Sequence, residues 1–491
     1  MNDSETHSRL TAHRLAGRAR VDRLRAHFHA NIRFTNRDAD PSTRLSAAQM
    51  LGPVLLLVVA AAWLVGLSAG FQTAVTILTI TGFGLAFAGL FSPALGLLGV
   101  GLLATLDAAT RNFILTGGLL RWNTLNYWLL VVVALNFAFI LRLNDPHSRL
   151  LQLFIALLAV EILISQAKMS GVQDVLNITA AFGLLVYLAR GAPVKGGLYW
   201  MSILSGLTAA LGGFVYYMQF EQLPYVNPNS WAFFPLTGIF AVCLGFPSSK
   251  ERRFGNFILL ALAAVNFLWV FLSASRGSIL VGVLCLLFLF LWTRRLTWKV
   301  AFLGLAWLVL GYFSLQFAEQ QSYAFRRIEK LFNPQYTLEE RTSGRSDIAQ
   351  AGLQIFLQNP LGVGTGNFRE AVTSAGLAPN EVAAHSGWIK VLAENGLPGI
   401  LLLLAYILSF MIVGIRRRDR DQFMLGLLVT ASFAVALLSK EFQGKGLWFF
   451  AAGAAVLLHP EAMAANLQRR ARAAFDRSLT RLHSLRRHGP D

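Results

Sequence analysis

Apolar positions in this chain fall in long unbroken runs. They cover residues 48–69, 71–91, 93–110, 124–141, 149–166, 172–189, 198–217, 230–247, 256–274, 277–292, 299–317, 398–415, 422–439 and 443–458. About 20 consecutive apolar residues cross the hydrocarbon core of a bilayer as a helix. A helix apolar on every side has no face to turn to water, and in lipid the helical ladder satisfies its own backbone. The pattern therefore predicts an all-α, polytopic helical membrane protein with about 12–14 transmembrane helices. The polar stretches divide the chain into a basic tail (1–46), a first set of spans (47–317), one large loop (318–397), a second set of spans (398–458) and a second basic tail (459–491).

Composition agrees with this division. Of 491 residues, 55% are hydrophobic and 14% charged, against nearer half and a quarter in soluble domains. A soluble enzyme, a disordered chain and a secreted disulfide scaffold are excluded. Cys243 and Cys285 both sit inside apolar runs, so neither a disulfide framework nor a metal cluster is offered. Residues 1–46 hold nine arginines and no short apolar stretch ahead of a small-residue cleavage site, so they do not read as a signal peptide.

The formal charge of +18 acquires meaning once it is placed. With the N-terminal tail in the cytoplasm, alternate connections also fall inside: Arg142 to Arg149, Arg190 to Lys195, Lys250 to Arg253, Arg294 to Lys299, Arg416 to Arg420, and the tail from Arg469 to Arg487. Every dense basic cluster lands on one side, as the positive-inside rule requires. The charge thus reflects topology and contact with anionic membrane lipids, with no nucleic-acid partner. Val21, Leu24, Phe28 and Ile32 share a helical face in one tail, and Phe475, Leu479, Leu482 and Leu485 in the other. Basic amphipathic helices of this kind lie on a membrane surface.

Segment 318–397 then faces outward. An 80-residue external loop in a tightly connected protein is usually functional. Ser346-Asp347 reads as a helix start, and Asn359-Pro360 as its end. The turn Leu361-Gly362-Val363-Gly364-Thr365-Gly366-Asn367-Phe368 follows a helix, where a dinucleotide fingerprint requires a strand. Its glycines suit a tight turn or close approach to a bound diphosphate. Ser386 can cap a short helix, Gly396 can close it and Pro398 can open the next span. His385 precedes that cap, beside Trp388, and suits either a general base or a surface histidine. Arg276, in Ser275-Arg276-Gly277 at the outer junction of two spans, suits either a phosphate ligand or a snorkelling interface residue. Other outward turns are Arg111 to Asn123, Lys168 to Gln173, Gln219 to Asn229 and Ser439 to Lys445, the last holding Lys440, Glu441 and Lys445. Glu161 is the acid deepest in an apolar run, with Lys168 near enough in sequence to pair with it.

No phosphate loop ending in Lys-Ser or Lys-Thr occurs, nor a His-Glu-x-x-His zinc motif. Asp419-Arg420-Asp421 is flanked by Arg416 to Arg418 on the cytoplasmic side and reads as a solvated charge run rather than a metal site.

Several motifs in order resemble a known family. They are Asn227-Pro228-Asn229, Ser275-Arg276-Gly277, Gly344-Arg345, Asn359-Pro360-Leu361-Gly362-Val363-Gly364, Ala384-His385-Ser386 and Glu394-Asn395-Gly396-Leu397-Pro398-Gly399. The set looks like that of the O-antigen ligase and O-antigen polymerase superfamily, with its large periplasmic loop. The resemblance implies a metal- and cofactor-independent glycosyltransferase in the bacterial inner membrane, with both termini cytoplasmic and the site facing the periplasm. Its donor would be a glycan on undecaprenyl diphosphate, and its acceptor a hydroxyl of lipid A-core or of another lipid-linked glycan. By position, His385 would be the general base and Arg276 would hold the diphosphate. Arg345, Arg341, Asn227, Asn229, Gly364, Gly366, Trp388 and Lys440 would line the substrates. Family members usually carry a further arginine before the Asn-Pro-Asn turn, where this chain reads Gln219 to Val226 without a cation. The alternatives are a repeat-unit polymerase, a protein-directed oligosaccharide transferase, and a transporter or flippase of a lipid-linked glycan, which would need ionisable residues along a mid-span path.

Overall fold

A computed structural model of the chain describes residues 47–89, 93–112, 145–189, 194–219, 231–249, 253–273, 275–293, 335, 345–377, 384–417, 419–439 and 445–458. The helices are α1 (Ala47–Ala69), α2 (Phe71–Ala88), α3 (Pro93–Asn112), α4 (Pro146–Ile164), α5 (Lys168–Ala189), α6 (Val194–Met218) and α7 (Phe233–Gly245, followed by a tight turn Phe246–Ser249). They continue as α8 (Arg253–Leu272), α9 (Arg276–Thr293), α10 (Arg345–Gln358), α11 (Phe368–Ser374), α12 (Gly387–Arg416), α13 (Arg420–Ser439) and α14 (Lys445–Leu458). Among the described residues, seven helices are long and apolar enough to cross a membrane and four shorter apolar helices pack among them. The protein is an all-α polytopic membrane protein. Runs 124–141 and 299–317 and both basic tails lie outside the described residues.

Local signals account for the helix ends. Asp145 caps α4, its carboxylate accepting from the Ser148 amide (2.9 Å) and hydroxyl (2.6 Å), with Pro146 in the first turn. Asp419 caps α13 by accepting from the Asp421 amide (2.8 Å). That is the physical use of the Asp419-Arg420-Asp421 run. Helix α5 starts at Lys168, inside the stretch the sequence assigns to an outward turn.

Helix α7 is the axis of the bundle. Every residue from Phe234 to Gly245 is buried, and α3, α6, α8, α9 and α14 pack around it. A helix apolar all round belongs in such a place. Where lipid tails are as apolar as leucine, short polar side chains contribute to helix association. Asn266 on α8 donates to the Gly206 carbonyl on α6 (2.9 Å), and Ser202 on α6 to the Ala241 carbonyl on α7 (2.5 Å).

Cross-links show which helix ends lie together. Tyr217, ending α6, donates to the Leu272 carbonyl at the end of α8 (3.0 Å). Gln219 accepts from the Phe71 amide (2.8 Å) and donates to the Gly66 carbonyl (2.8 Å), bringing the α1–α2 turn to the same end. At the opposite end Arg420, starting α13, donates to the Leu291 carbonyl near the end of α9 (3.2 Å). Helices α9 and α13 therefore run antiparallel, and the last turn of α13 returns to the α8–α9 turn. The Ser386 hydroxyl donates to the Leu437 carbonyl (3.1 Å), so α12 also begins there. Helices α4 and α12 are antiparallel and tied twice: His147 to Ser409 with its ring stacked on Phe410 at 4.2 Å, and Glu161 to Asn395 toward the loop end. This grouping of turns is the one that the alternation of basic clusters predicts.

Candidate active site

The described part of the polar segment folds onto the bundle end through a small core of its own. Ala351 and Ile355 of α10, Phe368 and Val372 of α11, and Ala384 and Ala393 form it, with Ile348, Val363, Leu377 and Ile389 around them. Helix α10 ends at Gln358, before Asn359-Pro360 as the sequence predicts. Helix α12 is interrupted where the sequence predicts: its first segment, capped by Ser386, closes at Gly396 (φ 59°, ψ −154°), and the span opens at Pro398.

That break explains the glycine-rich turn. A left-handed residue and a following proline leave helical carbonyls without amide partners. The turn supplies the donors: the Val363 amide to Ala393 (3.1 Å) and the Gly364 amide to Glu394 (2.9 Å), while the Leu397 amide reaches back to Pro360 (2.9 Å). A Cβ on Gly396 would lie under 3.0 Å from the Pro360 carbonyl, and one on Gly362 (φ 93°) equally close to that of Glu394. Only glycine suits both positions. Gly364 and Gly366 are buried, and a Cβ on Gly366 would meet the Gly171 amide of α5. The close approach that the glycines allow is thus to protein backbone.

Beyond the turn, Asn367 reads the α4–α5 junction. Its Oδ1 accepts from the Ser165 hydroxyl (3.0 Å) and the amides of Gln166 (3.0 Å) and Ala167 (2.8 Å), and its Nδ2 donates to the Val363 carbonyl (2.7 Å). Buried Glu161 accepts from the Thr365 hydroxyl (3.0 Å) and from the Asn395 amide. Its partners are loop groups, and Lys168 is exposed, which corrects the expected Glu161–Lys168 pair. Lys390 of α12 instead donates to Asp174 of α5 at 2.6 Å, both side chains buried. Glu394, one turn on, accepts from the Phe368 amide (3.1 Å) and interacts electrostatically with both Lys390 and Asp174. Lys390 thus has Asp174 as its direct partner, with Glu394 near enough to feel both charges. Asp174 lies at the start of the predicted run 172–189, and nothing local in the sequence pairs it with Lys390 or Glu394.

His385 lies at the rim of this assembly. Its backbone is left-handed (φ 51°) and its side chain exposed. Histidine tolerates that conformation better than most residues. The next residues hold it. Ser386 caps α12, accepting from the Ile389 amide (3.5 Å), and the Trp388 indole donates to the Ala434 carbonyl of α13 (3.0 Å). Trp388 is therefore an anchor between helices. Arg276 is the first residue of α9 and is exposed, above the buried pair Ser275 and Ser278, whose hydroxyls meet at 3.0 Å. Arg276 opens α9 and His385 precedes α12, so both stand at the same end of the bundle, and Ser386 beside His385 touches the end of α13. Arg345 opens α10 and is half-buried. Arg341, Asn227, Asn229 and Lys440 lie outside the described residues. In the stretch before the Asn-Pro-Asn turn, Gln219 is occupied with the α1–α2 turn. Among the described residues, no group of three His, Cys, Asp or Glu side chains is arranged to hold a metal ion.

These features define a multi-pass membrane protein with a folded loop packed on one end of its helices. Residues 257–404 match the family model described as O-antigen ligase, a stretch that runs from α8 past the Gly396 break and includes Arg276, Arg345 and His385. The match supports the resemblance to the O-antigen ligase and polymerase superfamily and indicates an enzyme of the glycan-transferring type. The family implies lipid-linked glycan substrates in a bacterial membrane. No curated protein matches the chain.

Proposed function

We propose that the protein transfers a glycan from undecaprenyl diphosphate to a sugar hydroxyl of lipid A-core, at the periplasmic face of the inner membrane. The observation that carries this reading is the family match over a stretch whose Arg276 and His385 reach the same end of the bundle. His385 takes the proton of the acceptor hydroxyl as its oxygen attacks the anomeric carbon. The bond to the diphosphate breaks, and the diphosphate leaves with its electron pair. Fixed cations that neutralise this developing charge lower the barrier, so the step needs neither a metal nor acid assistance. Arg276 is the first such cation, with Arg345, Arg341 or Lys440 as the second. Asn227 and Asn229 bind the substrates, as the family resemblance implies, and Gly364 and Gly366 position the loop. The charge pattern that places both tails in the cytoplasm supports the orientation.

Deleting the gene and analysing the glycans by gel and lipid extraction tests this. Long polymer accumulating on the carrier lipid, with bare lipid A-core, is the expected outcome. Core or carrier bearing a single repeat unit would make the protein a repeat-unit polymerase for O-antigen, capsule or exopolysaccharide. Unchanged glycans in a strain without a paralogue would sink both readings and favour transport of a lipid-linked glycan. Arg276→Ala is expected to raise the donor concentration needed for half-maximal rate while membrane levels stay constant, because its side chain is exposed. A matching loss of inserted protein would make Arg276 structural.

A further inference from the structure

We propose that the C-terminal half of α10 is embedded in the membrane interface, its leucines continuing the lipid-facing stripe of α12. The exposed apolar residues of α12 are Leu397, Leu401, Leu404, Leu408, Ile412 and Ile415. They follow one another at intervals of three or four, a single helix face. On a membrane-crossing helix whose other face is packed, that stripe faces acyl chains. It does not stop where the span stops. The Leu397 amide bonds the Pro360 carbonyl at 2.9 Å, which sets Leu361 beside Leu397. Leu361 is 76% exposed and Leu357, one turn earlier on α10, is 67% exposed.

The outer face of α10 changes character along its length. Ser346, Asp347 and Gln350 are exposed near its start, and Leu353 and Leu357, with Gln358 as the last residue, near its end. In water the leucines would be the side turned inward. Here the inward side is already filled by Ala351, Gly352 and Ile355, so the leucines are not surplus core. A helix that is polar where it enters and apolar where it meets a lipid-facing stripe matches an element sunk into the headgroup–acyl boundary. Unlike a protein partner, lipid needs no shape complement, and the adjoining exposed Leu397 and Leu401 belong to the membrane-facing stripe of α12. This inference requires only that the spans cross a bilayer, and it stands or falls apart from the transfer chemistry.

The test is depth-dependent quenching. Leu357→Cys, labelled with an environment-sensitive nitrobenzoxadiazole, is reconstituted in vesicles of phosphatidylethanolamine and phosphatidylglycerol. Leu404→Cys is the lipid-facing reference and Gln350→Cys the aqueous one. Cys243 and Cys285 are buried, so wild-type protein carried through labelling is the blank. Brominated phospholipid is expected to quench the Leu357 probe nearly as strongly as the Leu404 probe, with iodide quenching several-fold below that at Gln350. Iodide quenching equal to that at Gln350, without quenching by lipid, would overturn the proposal. So would protection from both quenchers, which would mean that protein, a second copy included, covers this face. Should Leu357→Cys fail to insert, Leu361→Cys on the same stripe gives the same reading.

Discussion

His385→Asn is expected to lower glycan transfer by about 10²–10⁴-fold, the usual contribution of a positioned general acid–base group. Asparagine is the informative replacement because position 385 has φ 51°, and asparagine tolerates left-handed backbone better than alanine or glutamine. The side chain is exposed, so its removal opens no cavity in the packed end of the bundle. Ser386 and Trp388 go on holding the start of α12 through Leu437 and Ala434. Membrane levels and melting temperature should therefore match the wild type while transfer is lost. Activity in membranes, measured with lipid-linked donor and acceptor supplied together, decides the matter: wild-type turnover in the Asn variant would remove His385 from the reaction.

Lys390→Met should be the most destabilising single change at the site, costing about 3–5 kcal/mol, the usual loss when one partner of a buried pair is removed. Methionine fills much of the lysine's volume, so packing is nearly preserved and the loss is electrostatic. It leaves buried Asp174 without its 2.6 Å partner, with Glu394 near enough to disfavour its charge. Asp174→Asn should cost clearly less, because Lys390 keeps Glu394 as counter-charge. Thermal unfolding of the detergent-solubilised variants tests the order. If Asp174→Asn proves the more damaging, Glu394 is not sharing the ammonium. Because Lys390 sits in the first segment of α12, just after His385, Lys390→Met should also depress transfer. The Lys390→Met, Asp174→Leu double variant should recover part of the lost stability.

Some of the site was legible one residue at a time. The Ser386 cap, the end of α10 at Asn359-Pro360 and the interruption at Gly396-Leu397-Pro398 are statements about a few neighbouring residues, and the structure has each of them. The glycine-rich turn was legible as a turn but not as a partner. Nothing within Leu361 to Asn367 says that its amides serve carbonyls freed at Ala393 and Glu394. Glu161 was legible as an anomaly, since a carboxylate inside an apolar run needs a partner. Lys168 was the wrong partner because nearness along a chain is not nearness across a helix turn. The side chain of Glu161 is turned inward to the loop, while that of Lys168 is exposed.

By itself the sequence determined the class of protein, the position of most spans, the grouping of their connections at two ends and the residues at which helices start and stop. Those properties depend on run length, capping groups, glycine, proline and the side of the membrane that arginine occupies, all readable locally. Only the tertiary structure decided how the loop is held. Thr365 reaches Glu161 across 204 positions, Lys390 reaches Asp174 across 216, and Asn395 reaches Glu161 across 234. Such pairs leave no periodic trace. Each exists because α4 and α5 pack against the start of α12, where a buried carboxylate must find a donor in whatever segment lies opposite.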